Sequence, residues 1–128
     1  MIIPHSYDNA LQPWEYFPAA AGTYKVGQAL TVTSGKLAAI GNVSTTTPPY
    51  ICMAETTVAD GEAIPVIRVR NEIIFETTLS ADAASAAIGA KLEVSADGLT
   101  VDNAATGTFE VVYIEGTAAG NVVRGRFQ

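Results

Sequence analysis

The stretch KVGQALTVTSGKLAAIG, residues 25–41, decides the fold. Leu30 and Val32 alternate with Thr31 and Thr33, Ser34-Gly35 follows, and a second apolar run from Leu37 to Ile40 begins almost at once. A two-residue polar step between such runs, with a glycine free to take the positive φ of a tight turn, reads as a β-hairpin. From Gly22 onward the chain keeps this punctuation, short apolar segments cut by glycine turns. That pattern predicts an all-β domain, a small barrel or sandwich. In AIPVIRVRNEIIFETTL, residues 63–79, the alternation places Ile67, Val69, Ile73 and Phe75 inside and Arg68, Arg70, Glu72 and Glu76 outside. A turn is expected near Asn71, with opposite charges pairing across adjacent strands. One short helix is expected in LSADAASAAIGAKL, residues 79–92, capped by Ser80, with Asp82 in its first turn and Gly89 as its stop.

The second half of the chain echoes the first. VGQALTVTSGKLAAI, residues 26–40, aligns with IGAKLEVSADGLTVD, residues 88–102, setting Gly27 on Gly89, Leu30 on Leu92 and Val32 on Val94. YICMAETTVADGEAI, from Tyr50, aligns with VVYIEGTAAGNVV, from Val111, setting Glu55 on Glu115 and Thr57 on Thr117. Similar spacing in both alignments argues for one strand-turn-strand plan used twice. The expected organisation is an extended N-terminal arm, residues 1–21, and a β-rich domain, residues 22–128, divided into repeats 22–78 and 79–128.

The arm concentrates unusual residues. PHSYDNALQPWEYFPA, residues 4–19, holds the only His, the only Trp, three prolines and four of the ten aromatics. Prolines restrict the free chain and oppose self-pairing, and aromatic side chains supply interface anchors. Ile2, Ile3, Tyr7, Leu11, Trp14, Tyr16 and Phe17 are therefore the candidate partner-binding residues. Two readings of Trp14 to Phe17 stand side by side, docking on a partner and packing on the domain itself.

Composition narrows the function. With 13 acidic residues against 7 basic ones, a net charge of −6 and no basic stripe, nucleic acid is not the expected partner. No apolar run reaches the length of a membrane span, no signal-peptide pattern opens the chain, and synthesis and folding in the cytoplasm are expected. The lone Cys52 lies in an apolar run and is expected to be a buried thiol. His5, the only imidazole, lies outside any Ser-His-acid or Cys-His arrangement, and the chain lacks zinc-ligand spacing and phosphate-loop motifs. The acidic pair in DGLTVD, Asp97 and Asp102, reads as a hairpin turn at Asp97-Gly98 rather than a calcium loop. No cofactor or metal and no enzymatic activity are expected. Glu72 and Glu76, on one predicted strand face, are the pair a carboxylate-dependent hydrolase would use.

KVGQALTVTSGKLAAIG followed by PPYICMAETTVADGEAIPVIRV, together about Thr23 to Val69, resembles the head decoration, or capsid cement, proteins of tailed bacteriophages. The resemblance implies a compact β-rich protein, often a homotrimer, that binds the outer capsid surface of the expanded head and strengthens it. It further implies the major capsid protein as partner, the virion as location and, in members with an arm, an N-terminal segment that adds to a strand of that partner. A carbohydrate- or receptor-binding module of a phage tail or fibre, stacking sugars on Trp14 and Tyr16, is the alternative.

Overall fold

Among residues 1–7, 13–41, 46–102 and 107–128, which the computed structural model describes, every regular element is a strand. The first seven are β1 (Ile3–Tyr7), β2 (Glu15–Pro18), β3 (Gly22–Tyr24), β4 (Ala29–Thr33), β5 (Lys36–Ala39), β6 (Tyr50–Cys52) and β7 (Thr56–Val58). The remaining six are β8 (Ala63–Arg68), β9 (Ile73–Thr78), β10 (Lys91–Val94), β11 (Val101–Asp102), β12 (Phe109–Ile114) and β13 (Val122–Phe127). They form a six-stranded sheet, β1-β9-β13-β12-β10-β11, a five-stranded sheet, β2-β8-β6-β4-β5, and the ribbon β3-β7. Among the described residues all ladders are antiparallel, and their arrangement is consistent with a β-sandwich and forms no closed barrel.

The hairpin read from residues 25–41 is β4-β5, with Thr33 opposite Lys36. Both residues of its tip, Ser34 and Gly35, have positive φ, 52° and 78°, the primed-turn geometry that matches strand twist. Two expectations are corrected. Residues 79–92 form no helix; they make separate turns, Ala86 N–H to Ala83 O and Ala90 N–H to Ala87 O. Alanine propensity loses there because a helix so short has a costly nucleus, while Ala83 N–H is already bound by Thr117 O and the Asp82 carboxylate accepts from Ala119 N–H. Nor do the strands flanking Asn71 pair with each other. β8 lies in the five-stranded sheet and β9 in the six-stranded one, so the chain crosses between layers at the turn. Their charges find other partners, Arg68 with Glu15 and Glu76 with Arg124.

The internal echo is a duplication of topology. In each half a first strand (β2 or β9) lies beside the last (β8 or β13), which pairs with a middle strand (β6 or β12), which pairs with a hairpin (β4-β5 or β10-β11). Registers agree residue by residue: Leu30 faces Tyr50 as Leu92 faces Phe109, and Val32 faces Leu37 as Val94 faces Val101. Gly27 N–H donates to Cys52 O as Gly89 N–H does to Val111 O. Even isolated bridges correspond, Ala19 to Leu37 and Leu79 to Val101. The first unit thus begins at β2, inside the segment assigned to the arm, and the second at β9, inside the repeat assigned to residues 22–78. The second unit has two extra residues at its hairpin tip and a bulge after Val111.

Each unit curls around its own apolar residues. The first encloses Leu30, Leu37, Cys52, Ile64 and Val66; the second encloses Leu92, Val101, Phe109, Val123 and Phe127. The outer rows differ. Ala29, Ile51 and Ile67, adjacent across β4, β6 and β8, are buried in the larger cluster with the second unit's residues. The matching row, Lys91, Glu110 and Arg126, is charged. The units therefore pack asymmetrically, first-unit face against second-unit residues.

Burial of the first core sets a pH dependence. Burial pushes the Cys52 thiol up, with backbone contacts at Ala54 and Met53 opposing, and burial also pushes up Tyr24, aided by Cys52 and Asp60. An acid whose folded pKa exceeds its unfolded one contributes stability that is full below the unfolded value and lost as pH rises through the folded value. The urea midpoint should accordingly fall as pH climbs through the thiol and phenol ranges. Cys52→Ala should flatten the first part of that fall; an unchanged slope would remove the thiol as its cause.

Candidate interaction surface

Strand β2 is an edge strand, paired on one side with β8 through Glu15–Val66, Tyr16–Pro65, Phe17–Ile64 and Pro18–Ala63. Alternation sends Glu15 and Phe17 toward the domain and leaves Trp14, Tyr16 and Pro18 exposed. The inner pair is well anchored. Phe17 lies against Tyr50 with ring centroids 5.1 Å apart, Arg68 sits 5.1 Å above the Tyr50 ring, and its guanidinium donates to both Glu15 oxygens, at 3.1 and 3.0 Å. With 42% and 29% of those two side chains exposed, this ion pair contributes little energy, and its value is orientation.

The outer pair stands free in solvent, Trp14 at 51% exposure and Tyr16 at 64%. Beside Pro18 opens an apolar groove of about 230 Å³, lined by Phe17, Pro18, Val32, Leu37 and Tyr50. Val32, expected to share the buried face with Leu30, is exposed because the hairpin tip carries it beyond the first unit's core. The groove is mainly apolar, with Lys36, paired to Asp60, as the charged residue of its lining.

The remaining candidates are placed differently. Ile2 is fully buried, and its N–H donates to Gly27 O at 2.8 Å. The terminal ammonium of Met1 is hydrogen-bonded to Leu99 O. Ile3 is half-buried in β1, which adds to β9 of its own chain through Ile3–Glu76, Pro4–Phe75, Ser6–Ile74 and Tyr7–Ile73. The Tyr7 side chain and Leu11 lie outside the described residues.

Of the residues weighed for chemistry, Glu76 and Cys52 have structural partners. The Glu76 carboxylate accepts from Arg124 at 2.8 Å, and Arg124 lies 4.7 Å from the Tyr113 ring. Two further acids, on either side of Gly61, are also engaged: Asp60 pairs with Lys36 at 2.6 Å, and Glu62 accepts from Ala59 N–H at 2.6 Å. His5 is exposed, Cys52 is buried, and its thiol donates to Ala54 O at 3.1 Å. Among the described residues no group of His, Cys, Asp or Glu could hold a metal ion. The Glu76–Arg124–Tyr113 cluster escaped sequence reasoning, since only the pairings of β13 with β9 and β12 bring these residues together. Scanning the chain against protein-family models and searching the curated proteins return no match.

Proposed function

We propose that this protein is a non-enzymatic structural component of a phage virion that binds the outer capsid surface and stabilises the expanded head, with the major capsid protein as its partner. The observation that carries this reading is the exposure of Trp14 and Tyr16 on one face of a strand whose other face is locked to the domain. Rigid aromatics bind at small entropic cost and dominate interfaces where they occur. The sequence resemblance of Thr23 to Val69 to head decoration proteins supports the same reading and adds the expectation of a homotrimer.

Co-sedimentation with expanded, undecorated heads is the test. Trp14→Ala and Tyr16→Ala should each weaken saturable binding by at least about tenfold while leaving the fold intact. Heads that take up neither the native chain nor the variants would sink the reading. The paired exposure of Trp14 and Tyr16 also suits sugar stacking, so the second reading is a glycan-binding module of a tail or fibre. Glycan-array binding lost on Trp14→Ala, without affinity for heads, would select it.

A further inference from the structure

We infer that the open end of the first unit receives the charged outer row of the second unit of another copy of this chain, head to tail. The contact would repeat the one already made between the two units inside the chain. Each unit is a curled sheet drawn together along one side, by Ala20 N–H to Leu37 O in the first and Ser80 N–H to Val101 O in the second, both 2.9 Å. The first curl stays open at one end. That opening is the groove of about 230 Å³, lined by Val32, Phe17, Tyr50 and Leu37, and the ion pair of Arg68 with Glu15 stands beside Tyr50.

The second unit shows the same end covered. By register Val94 stands for Val32, Phe109 for Tyr50, Thr77 for Phe17, and Phe127 and Phe75 for Arg68 and Glu15. Val94 is 2% exposed against 50% for Val32, and all three phenylalanines are buried. What covers them is the first unit's outer row, since Ala29, Ile51 and Ile67, with Ile2, share one buried cluster with Val94 and these phenylalanines. The hairpin tip of the second unit seals the contact. Gly98 O accepts Ala29 N–H at 2.7 Å, and a Cβ at residue 98 would come within 2.9 Å of Ala29 O. The corresponding tip of the first unit, Ser34-Gly35, is exposed, and a Cβ at Gly35 would meet nothing within 4 Å.

Opening and row have changed together. The contact inside the chain joins an apolar row to phenylalanines; the one between copies offers Lys91, Glu110 and Arg126 to an opening edged by Arg68 and Glu15. Both members are charged where their counterparts are apolar, and each carries both signs. Lys91 and Arg126 are steadied over the sheet by Gln128 Oε1 and Asn71 O, each at 3.1 Å, with the Glu110 position between them across the strands. A carboxylate flanked by two cations suits an opening where a guanidinium lies beside a carboxylate, and such matching fixes partner and register. Phe17 and Tyr50 add aromatic area of the kind that anchors interfaces. Because the two surfaces differ, copies add in one direction until the rotation closes a ring. Trp14 and Tyr16 lie on the opposite face of β2 from Glu15 and Phe17, so the contact does not depend on what they bind.

Light scattering on the full chain across a concentration series tests the inference with two variants, Val32→Asp at the opening and Glu110→Lys in the row. The native chain should rise above the mass of one chain as concentration climbs. Val32→Asp sets a carboxylate against apolar walls, Glu110→Lys makes the row wholly cationic against Arg68, and each should raise the dissociation constant by more than about tenfold. Mixed in equal amounts, where each alone stays single, the two should form pairs and nothing larger, because the intact opening of one meets the intact row of the other. Should either variant misfold, amide resonances of the native chain supply the answer: those of Val32 and Gly35 should shift on dilution together with those of Lys91 and Glu110. A mass of one chain at millimolar concentration, either variant associating like the native chain, a mixture no heavier than its parts, or dilution shifts confined to one of the two patches would each overturn it.

Discussion

Gly125→Val is expected to destabilise the protein by about 3 kcal/mol or more, the upper range for overpacking a core, although valine is the residue at the matching place in the other unit. Gly125 faces Val111 and Phe75 on its neighbouring strands, as Val66 faces Cys52 and Glu15. A Cβ at residue 125 would lie 2.4 Å from Glu110 O and 2.7 Å from Cε1 of Phe109. The first contact is with backbone and the second with a fully buried ring that stacks edge-on to Phe127 at 5.2 Å, so neither neighbour has room to yield. In the first unit the place of Phe109 is taken by Tyr50, which is half-buried and engages Phe17 and Arg68, leaving space that Val66 fills. Each unit thus admits one bulky filler at this point. Urea unfolding measures the cost; a Gly125→Val protein within about 1 kcal/mol of the native one, the spread of tolerated volume-conserving swaps, would mean that the two cores are interchangeable.

Starting the chain at Ala19 should abolish cooperative unfolding altogether. The segment read as an arm supplies β1 and β2, one edge strand to each large sheet. Its loss strips Ile2 from the core and uncovers the β8 edge at Ile64 and Val66, both fully buried. Ile2 alone is worth about 1.5–3 kcal/mol by area, a large share of the roughly 5–15 kcal/mol by which domains are stable, and two ladders are lost with it. Trp14→Ala, which removes an exposed side chain, should shift stability by no more than about 0.5 kcal/mol. A sharp thermal transition in the shortened chain would show that β1 and β2 are accessories.

The contrast explains what could be read from the sequence and what could not. Ser34-Gly35 announced its hairpin because the turn chemistry and both strands are contiguous. Leu30 with Leu92 and Val32 with Val94 were legible because duplication leaves a trace at fixed spacing. The division between Trp14 and Phe17 was not, since the two residues differ little in character and only the pairing with Val66 and Ile64 decides which face each takes. Ile2 looked like part of a loose end because its strand partner, Glu76 opposite Ile3, stands more than half the chain away. Residues 79–92 carry real helical propensity, but Thr117 and Ala119 claim their polar groups first.

The pairing of β1 with β9 also bears on how a ribosome delivers this protein. β1 has no place to go until β9 has been made, and the Ala29–Ile51–Ile67 row of the first unit stays uncovered until the second unit arrives. Nascent chains therefore pass through a stage with a sticky flank and an unplaced leading strand, the kind of species prone to aggregation. Closure of the core waits on β13, which brings the buried Phe127 against Phe75 and Phe109.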